Sequence, residues 1–200
     1  MNRFLRFASR RDATVEMTIG LFSTERYGKT LCLGAYTAMG VDKKLVSRLK
    51  ALRGTRTVIL GIGNTLKGDD GVGPLVCQRL TEGGAGADVF DAGTVPENYI
   101  QPIIKKTPQN LVIIDAVDFG AAPGTIKLFE PEQLSTIGVS THAPTPRLFI
   151  DIIKKSIEVG VYFIGIQPAQ TQIGQPITPQ LTQAAEDLAS LLLNIFPSSF

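Results

Sequence analysis

The chain has 200 residues, of which 44% are hydrophobic and 19% charged, enough apolar material for a packed core and too little charge for a disordered chain. Twenty Lys+Arg against 18 Asp+Glu leave a formal charge of +2, so no overall field points to nucleic acid or to an anionic membrane. Two cysteines without CxxC spacing exclude a zinc ribbon or disulfide scaffold, and no apolar run reaches the roughly 18–20 residues of a membrane span.

Residues 1–40 carry six basic and three acidic side chains, whereas the rest carries 14 and 15. The basic character therefore belongs to an N-terminal extension, read here as a disordered appendage, and residues 41–200 as a single α/β domain. Met39, just before the first strongly patterned segment, is an alternative start of the functional part. The layout is not that of a signal peptide, Asp12 and Glu16 weaken a transit reading, and the expected setting is the cytoplasm. From Asp42, Leu45, Val46, Leu49 and Leu52 form one stripe among Lys43, Lys44, Arg48 and Lys50. That predicts a short basic amphipathic helix, a lid on the domain edge.

Thr57–Ile62 is a β-branched apolar run, predicted to be a strand buried on both faces. A glycine-rich loop, 63–71, leads into a helix marked by Val72, Leu75, Val76 and Leu80. Residues 87–90 predict a strand ending in Asp91-Ala92-Gly93, and 96–106 a helix that Pro102 restarts or kinks. Residues 111–114 are the clearest buried strand and end in Asp115. Residues 125–129 alternate like an edge strand; 148–157 predict a helix, and 161–166 another strand. Thr178-Pro179 reads as an N-cap and first helical proline opening a long final helix. Strands alternating with helices predict a three-layer α/β/α domain around a twisted, mainly parallel sheet, with ligands bound at the carboxyl ends of the strands.

The loop after the first strand fits neither common phosphate-binding pattern. A GxGxxG fingerprint fails at Leu66, and a P-loop fails where Asp69 and Asp70 replace Lys and Ser/Thr. Two acids there suit a cation, or cap the following helix. Asp91 and Asp115 stand at two further strand ends, where a turn-starting role is the alternative. His142, the chain's one histidine, lies in a loop between elements whose ends face the same crevice. Asp70, Asp115 and His142 together would be a borderline donor set for Ni, Zn, Co or Mn. Cys77, beside the apolar stripe of the first long helix, reads as packing rather than as a nucleophile.

Six strings in order carry a resemblance: GIGNTLKGDDGVGP at 61–74, DAGTVPEN at 91–98, IIDAVDFG at 113–120, PGTIKLF at 123–129, STHAPTP at 140–146 and FIGIQP at 163–168. Together they resemble the nickel–iron hydrogenase maturation endopeptidases, of the type that processes hydrogenase-3 and membrane-bound hydrogenase large subunits. The resemblance implies a metal-dependent peptidase that removes a short C-terminal extension from a large-subunit precursor after nickel insertion. It places the catalytic and metal positions on Asp70, Asp115 and His142. Many members carry Glu where Asp70 stands, so the ligand type is kept with a shorter reach. Asp91, Asp69, Gly63 and Asn64 fall to substrate recognition or support. Nickel is expected to arrive with the precursor, and zinc or cadmium could occupy the same site. The implied partner is that precursor, with no nucleic acid and no membrane insertion. A non-catalytic nickel-binding accessory protein is the alternative.

Overall fold

Every residue of Thr57–Ile62 is buried, and this strand, β1, lies inside a five-stranded sheet. The computed structural model describes residues 43–130, 133 and 146–198; the extension 1–40 and His142 lie outside them. The remaining strands are β2 (Asp88–Gly93), β3 (Asn110–Ala116), β4 (Ile126–Phe129) and β5 (Gly160–Ile166), in the order β2-β1-β3-β5-β4. The pairs β1/β2, β1/β3 and β3/β5 are parallel, with Leu60 opposite Ile113 and Ile113 opposite Phe163. Among the described strands, only β4 runs antiparallel, along β5 at the edge.

Because side chains alternate along a strand, each central strand supplies two cores. Ile59, Val112, Ile114 and Ile164 face helices α1 (Lys43–Lys50), α2 (Val72–Glu82) and α5 (Pro179–Ile195). Val58, Leu60, Leu111, Ile113 and Phe163 face α3 (Ile100–Lys106) and α4 (Pro146–Ser156), which bury Ile103, Phe149, Ile150 and Ile153. The architecture is thus three-layer α/β/α around a mainly parallel sheet. Helix α1 is more than a lid. Leu45, Val46 and Leu49 are fully buried, each contributing about 1.5–3 kcal/mol relative to exposure.

Three local differences from the sequence expectations have physical reasons. Strand β3 runs one residue past Asp115, because pairing with β5 continues through Asp115–Gly165 and Ala116–Ile166. Residues 96–99 form a separate 3-10 turn, and α3 starts at Ile100, ahead of Pro102. Pro102 then occupies the first helical turn, where a missing N–H costs no hydrogen bond. Thr178 does occupy the N-cap position of α5, yet its hydroxyl makes no capping bond and has no partner.

The feature that positions the site is the meeting of α2 with the strand ends. A Cβ on Gly73 would lie 2.2 Å from the carbonyl oxygen of Ile62 and 2.7 Å from that of Ile114. Glycine lets the first turn of α2 sit directly over β1 and β3. The 3-10 turn Gly68–Gly71 that precedes α2 is thereby held at the carboxyl end of β3.

Candidate active site

The loop leaving β1 closes on itself. The Gly63 N–H donates to the Gly93 carbonyl at 2.8 Å, tying the ends of β1 and β2. Gly63 has φ +145°, and a Cβ there would lie 1.8 Å from the Asp70 carbonyl oxygen. Asn64 then organises the turn. Its backbone N–H donates to Asp70 Oδ2 at 3.0 Å, and its side-chain Oδ1 accepts the Leu66 N–H at 2.9 Å. Gly63 and Asn64 therefore support the position of Asp70, which is 7% exposed.

Asp69 points elsewhere. Fully buried, its carboxylate accepts the backbone N–H groups of Ala169 (2.8 Å), Gln170 (3.1 Å) and Thr178 (2.7 Å). Its own N–H donates to the Gln170 carbonyl at 3.1 Å. These bonds all go to the loop between β5 and α5, so Asp69 anchors that loop to the turn before α2.

Asp115 is 2% exposed and its Oδ1 has no hydrogen-bond partner. Burial, and then the charge of Asp70, push its carboxyl well above the usual carboxylate range, with the Ala116 N–H pulling weakly the other way. Burial also raises Asp70, against the Asn64 N–H and the charge of Lys67. Two desolvated acids that repel each other, one with an orphaned oxygen, form a site short of positive charge. The oxygen donors and the orphaned atom fit a divalent cation. His142, the third member expected from the sequence, is outside the described residues, and those residues alone hold no cluster of three metal-ligating side chains.

Asp91 is not part of this pair. On β2, Val89 packs toward α2 and α5 and Phe90 toward the opposite core, so Asp91 turns to the α2 side. There it borders a cleft of about 440 Å³ with Gly71, Pro74, Gln78 and Ile177, while its Oδ1 accepts the Gly93 N–H at 2.9 Å. Asp115 lies in register with the opposite face, alternating with Ile114 of the α2-side core. Cys77 is a buried packing residue. Burial, with the charge of Asp91, pushes its thiol up to about 12, and it donates to the Phe90 carbonyl at 3.3 Å.

Sequence reasoning assigned no role to Gln167, which is 5% exposed just beyond β5. Its Oε1 accepts the N–H groups of Phe119 (2.9 Å) and Ala121 (3.1 Å), and its Nε2 donates to Asp118 Oδ1 and the Pro168 carbonyl, both at 3.1 Å. Gln167 thus fixes the loop that follows Asp115. The hydrogen bond from the Gln167 side-chain amide, then that from the Gly120 N–H, hold the Asp118 carboxyl below its usual range. The signal was an amide directly after a buried apolar strand. A second cavity, of about 910 Å³, opens at the amino edge of the sheet, where Lys106 is paired with Asp88 at 2.5 Å and Arg56 with the Thr107 carbonyl at 3.2 Å. It lies away from the acid pair.

Fold and site define an α/β protein that presents buried carboxylates, rather than phosphate-binding amides, at the carboxyl edge of its sheet. The family model HycI, described as hydrogenase maturation protease, matches residues 76–195. The Hydrogenase 3 maturation protease of Escherichia coli K12 is 36% identical over 131 residues, covering 64% of this chain and 83% of that protein. The crystal structure of the nickel–iron hydrogenase maturation protease HycI from Thermococcus kodakarensis KOD1 is 35% identical. It has a TM-score of 0.67 and covers 74% of this chain and 97% of that one. The solution structure of the endopeptidase HycI from Escherichia coli is 34% identical, with a TM-score of 0.62, covering 67% and 86%. The chain belongs to the hydrogenase maturation protease family. It is a protease.

Proposed function

We propose that this protease removes a short C-terminal extension from a nickel–iron hydrogenase large-subunit precursor once nickel has been inserted, using the nickel site for recognition. The observation that carries the reading is the orphaned Oδ1 of Asp115, buried beside the second acid, Asp70. Without a cation, burial and the Asp70 charge favour a proton on the Asp115 carboxyl. Asp70, Asp115 and His142, the last as a neutral imidazole, are the residues that would meet the precursor's nickel. When bound, nickel supplies positive charge that orients the chain end and can polarise a carbonyl. A precursor without the ion leaves the two acids facing no cation and gains nothing from them. That selects completed metal sites over empty ones.

The remaining residues hold the acids still. Asn64 fixes Asp70 through its N–H, Gln167 fixes the loop after Asp115, and Asp69 ties the loop after β5 to the same turn. Helix α4 feeds the parallel strand β5, so it runs back against the strand direction, and its first turn begins on the side of the carboxyl edge. His142 precedes that turn by four residues. A cytoplasmic setting fits the free, buried Cys77, and no helix among the described residues is long and apolar enough to cross a membrane.

The test is mass spectrometry of a large-subunit precursor, nickel-loaded and nickel-free, with and without the protein. Loss of a C-terminal fragment from the loaded form alone is the expected result. Retention of nickel-loaded precursor without cleavage would instead establish an accessory protein.

A further inference from the structure

We propose that Lys67 is a specificity-determining residue, whose ammonium keeps bare divalent cations off the acid pair and admits nickel that arrives with anionic ligands. This rests on the maturation reading above. The loop that carries Lys67 is closed around the Asp70 carboxylate. The Asn64 N–H donates to Asp70 Oδ2 at 3.0 Å, the Lys67 N–H to the Asn64 carbonyl at 2.9 Å, and the Asp70 N–H to the Lys67 carbonyl at 3.2 Å. Lys67 is thus the middle residue of a ring of bonds that begins and ends on Asp70. Its neighbours are tied down as well. The Leu66 carbonyl accepts the Gly174 N–H at 2.8 Å, and the Asp69 carboxylate holds the N–H groups of Ala169, Gln170 and Thr178.

The Lys67 side chain is half-buried, and its charge acts on Asp70, where it favours the ionised carboxyl. Asp115 is governed instead by burial and by the charge of Asp70, and its Oδ1 keeps no hydrogen-bond partner. The ammonium therefore stands beside the acid pair rather than filling it. The place for a cation between the acids is left open, with one positive charge at its Asp70 side.

Charge then decides what the site accepts. A bare divalent ion brings two positive charges to a place where one already stands, so Lys67 opposes its approach to Asp70. Nickel seated in a protein brings deprotonated, anionic ligands with it. The arriving group then carries little positive charge or a negative one, and Lys67 no longer opposes it. A free ion caught between the acids would block the precursor's own nickel. Excluding that ion keeps the site open for loaded precursor.

The test compares wild type with Lys67→Met, which keeps an unbranched stem, and Lys67→Arg, which keeps the charge. Lys105→Met, which removes an exposed charge from the last turn of α3, is the control for net charge. Ni²⁺ alone is titrated by calorimetry into each metal-free protein at about 0.01 M and about 1 M salt, and cleavage of nickel-loaded precursor gives KM. Lys67→Met should bind Ni²⁺ roughly tenfold tighter at low salt, with the gain shrinking at high salt as charges are screened. Its KM for loaded precursor should not fall, and Lys67→Arg and Lys105→Met should match wild type. Melting shows whether each variant is folded, and Lys67→Gln gives the same comparison if methionine disturbs the loop. Ni²⁺ binding unchanged by the loss of the charge, or absent from both chains, would overturn the proposal while the cleavage result judges the protease reading. A KM that falls together with the Kd for Ni²⁺ would overturn it too, because Lys67 would then oppose nickel from either source. If the Ni²⁺ pattern holds but wild type never cleaves precursor, the proteolytic reading fails and the exclusion of bare cations stands.

Discussion

Asp69→Ala should cripple stability rather than chemistry, and the size of the effect follows from three hydrogen bonds. The carboxylate is fully buried and accepts the N–H groups of Ala169, Gln170 and Thr178 at 2.7–3.1 Å. Hydrogen bonds to charged groups contribute about 1.5–3 kcal/mol each, and buried donors left without a partner cost about 1–3 kcal/mol each. Allowing for water entering the space left by the side chain, a loss of about 3–6 kcal/mol is expected, against a total of about 5–15 kcal/mol for a typical domain. At roughly 2–4 °C per kcal/mol for a domain of this size, Tm should fall by about 10–20 °C. Asp69→Asn keeps the shape but turns an N–H₂ group toward at least one donor, so it should lose about 2 kcal/mol or more. Thermal and urea unfolding followed by circular dichroism measure both. A Tm of Asp69→Ala within about 3 °C of wild type would refute the assignment of Asp69 as the anchor of the 169–178 loop.

Other outcomes follow from the same geometry. Asp115→Asn should abolish cleavage by at least the 10–100-fold that loss of an outer-shell metal partner costs, yet raise the stability of metal-free protein at neutral pH. The sign follows from linkage: a carboxyl whose folded pKa is raised opposes folding above that pKa. Metal-free wild type should therefore gain stability as pH falls through the raised pKa toward the unfolded value of about 3.9, and Asp115→Asn should lose much of that gain, as urea titrations across the range will show. His142→Ala should remove cleavage of nickel-loaded precursor with an unchanged circular dichroism spectrum. Wild-type activity should decline as pH drops through about 6.5, where an imidazole gains its proton. A chain starting at Met39 should retain cleavage, whereas one starting at Thr55 should lose about 5–9 kcal/mol with the buried Leu45, Val46 and Leu49; expression and melting of the two chains decide it.

The strands, their order in the chain and the helices between them were legible in the sequence because hydrophobic period is a local property. Residues 57–62 and 111–114 could be read as buried strands before any partner was known, since short β-branched apolar runs suit a strand covered on both faces; that the second runs on through Asp115 to Ala116 depended on its pairing with β5. The failed phosphate motifs and the six family strings pointed likewise to acids at strand ends. What the sequence could not settle was direction. Asp69 and Asp70 are neighbours, yet one faces a loop a hundred residues away and the other the acid on β3. Asp91 and Asp115 both stand near strand ends, yet strand alternation and register send Asp91 to the α2 side, away from the face of Asp115. Gln167 as a loop clamp and the bond from the Gly174 N–H to the Leu66 carbonyl depend on the same long-range register. Spacing along the chain sets which residues can share an element; which of them meet is decided only when the sheet closes and its loops are packed against one another.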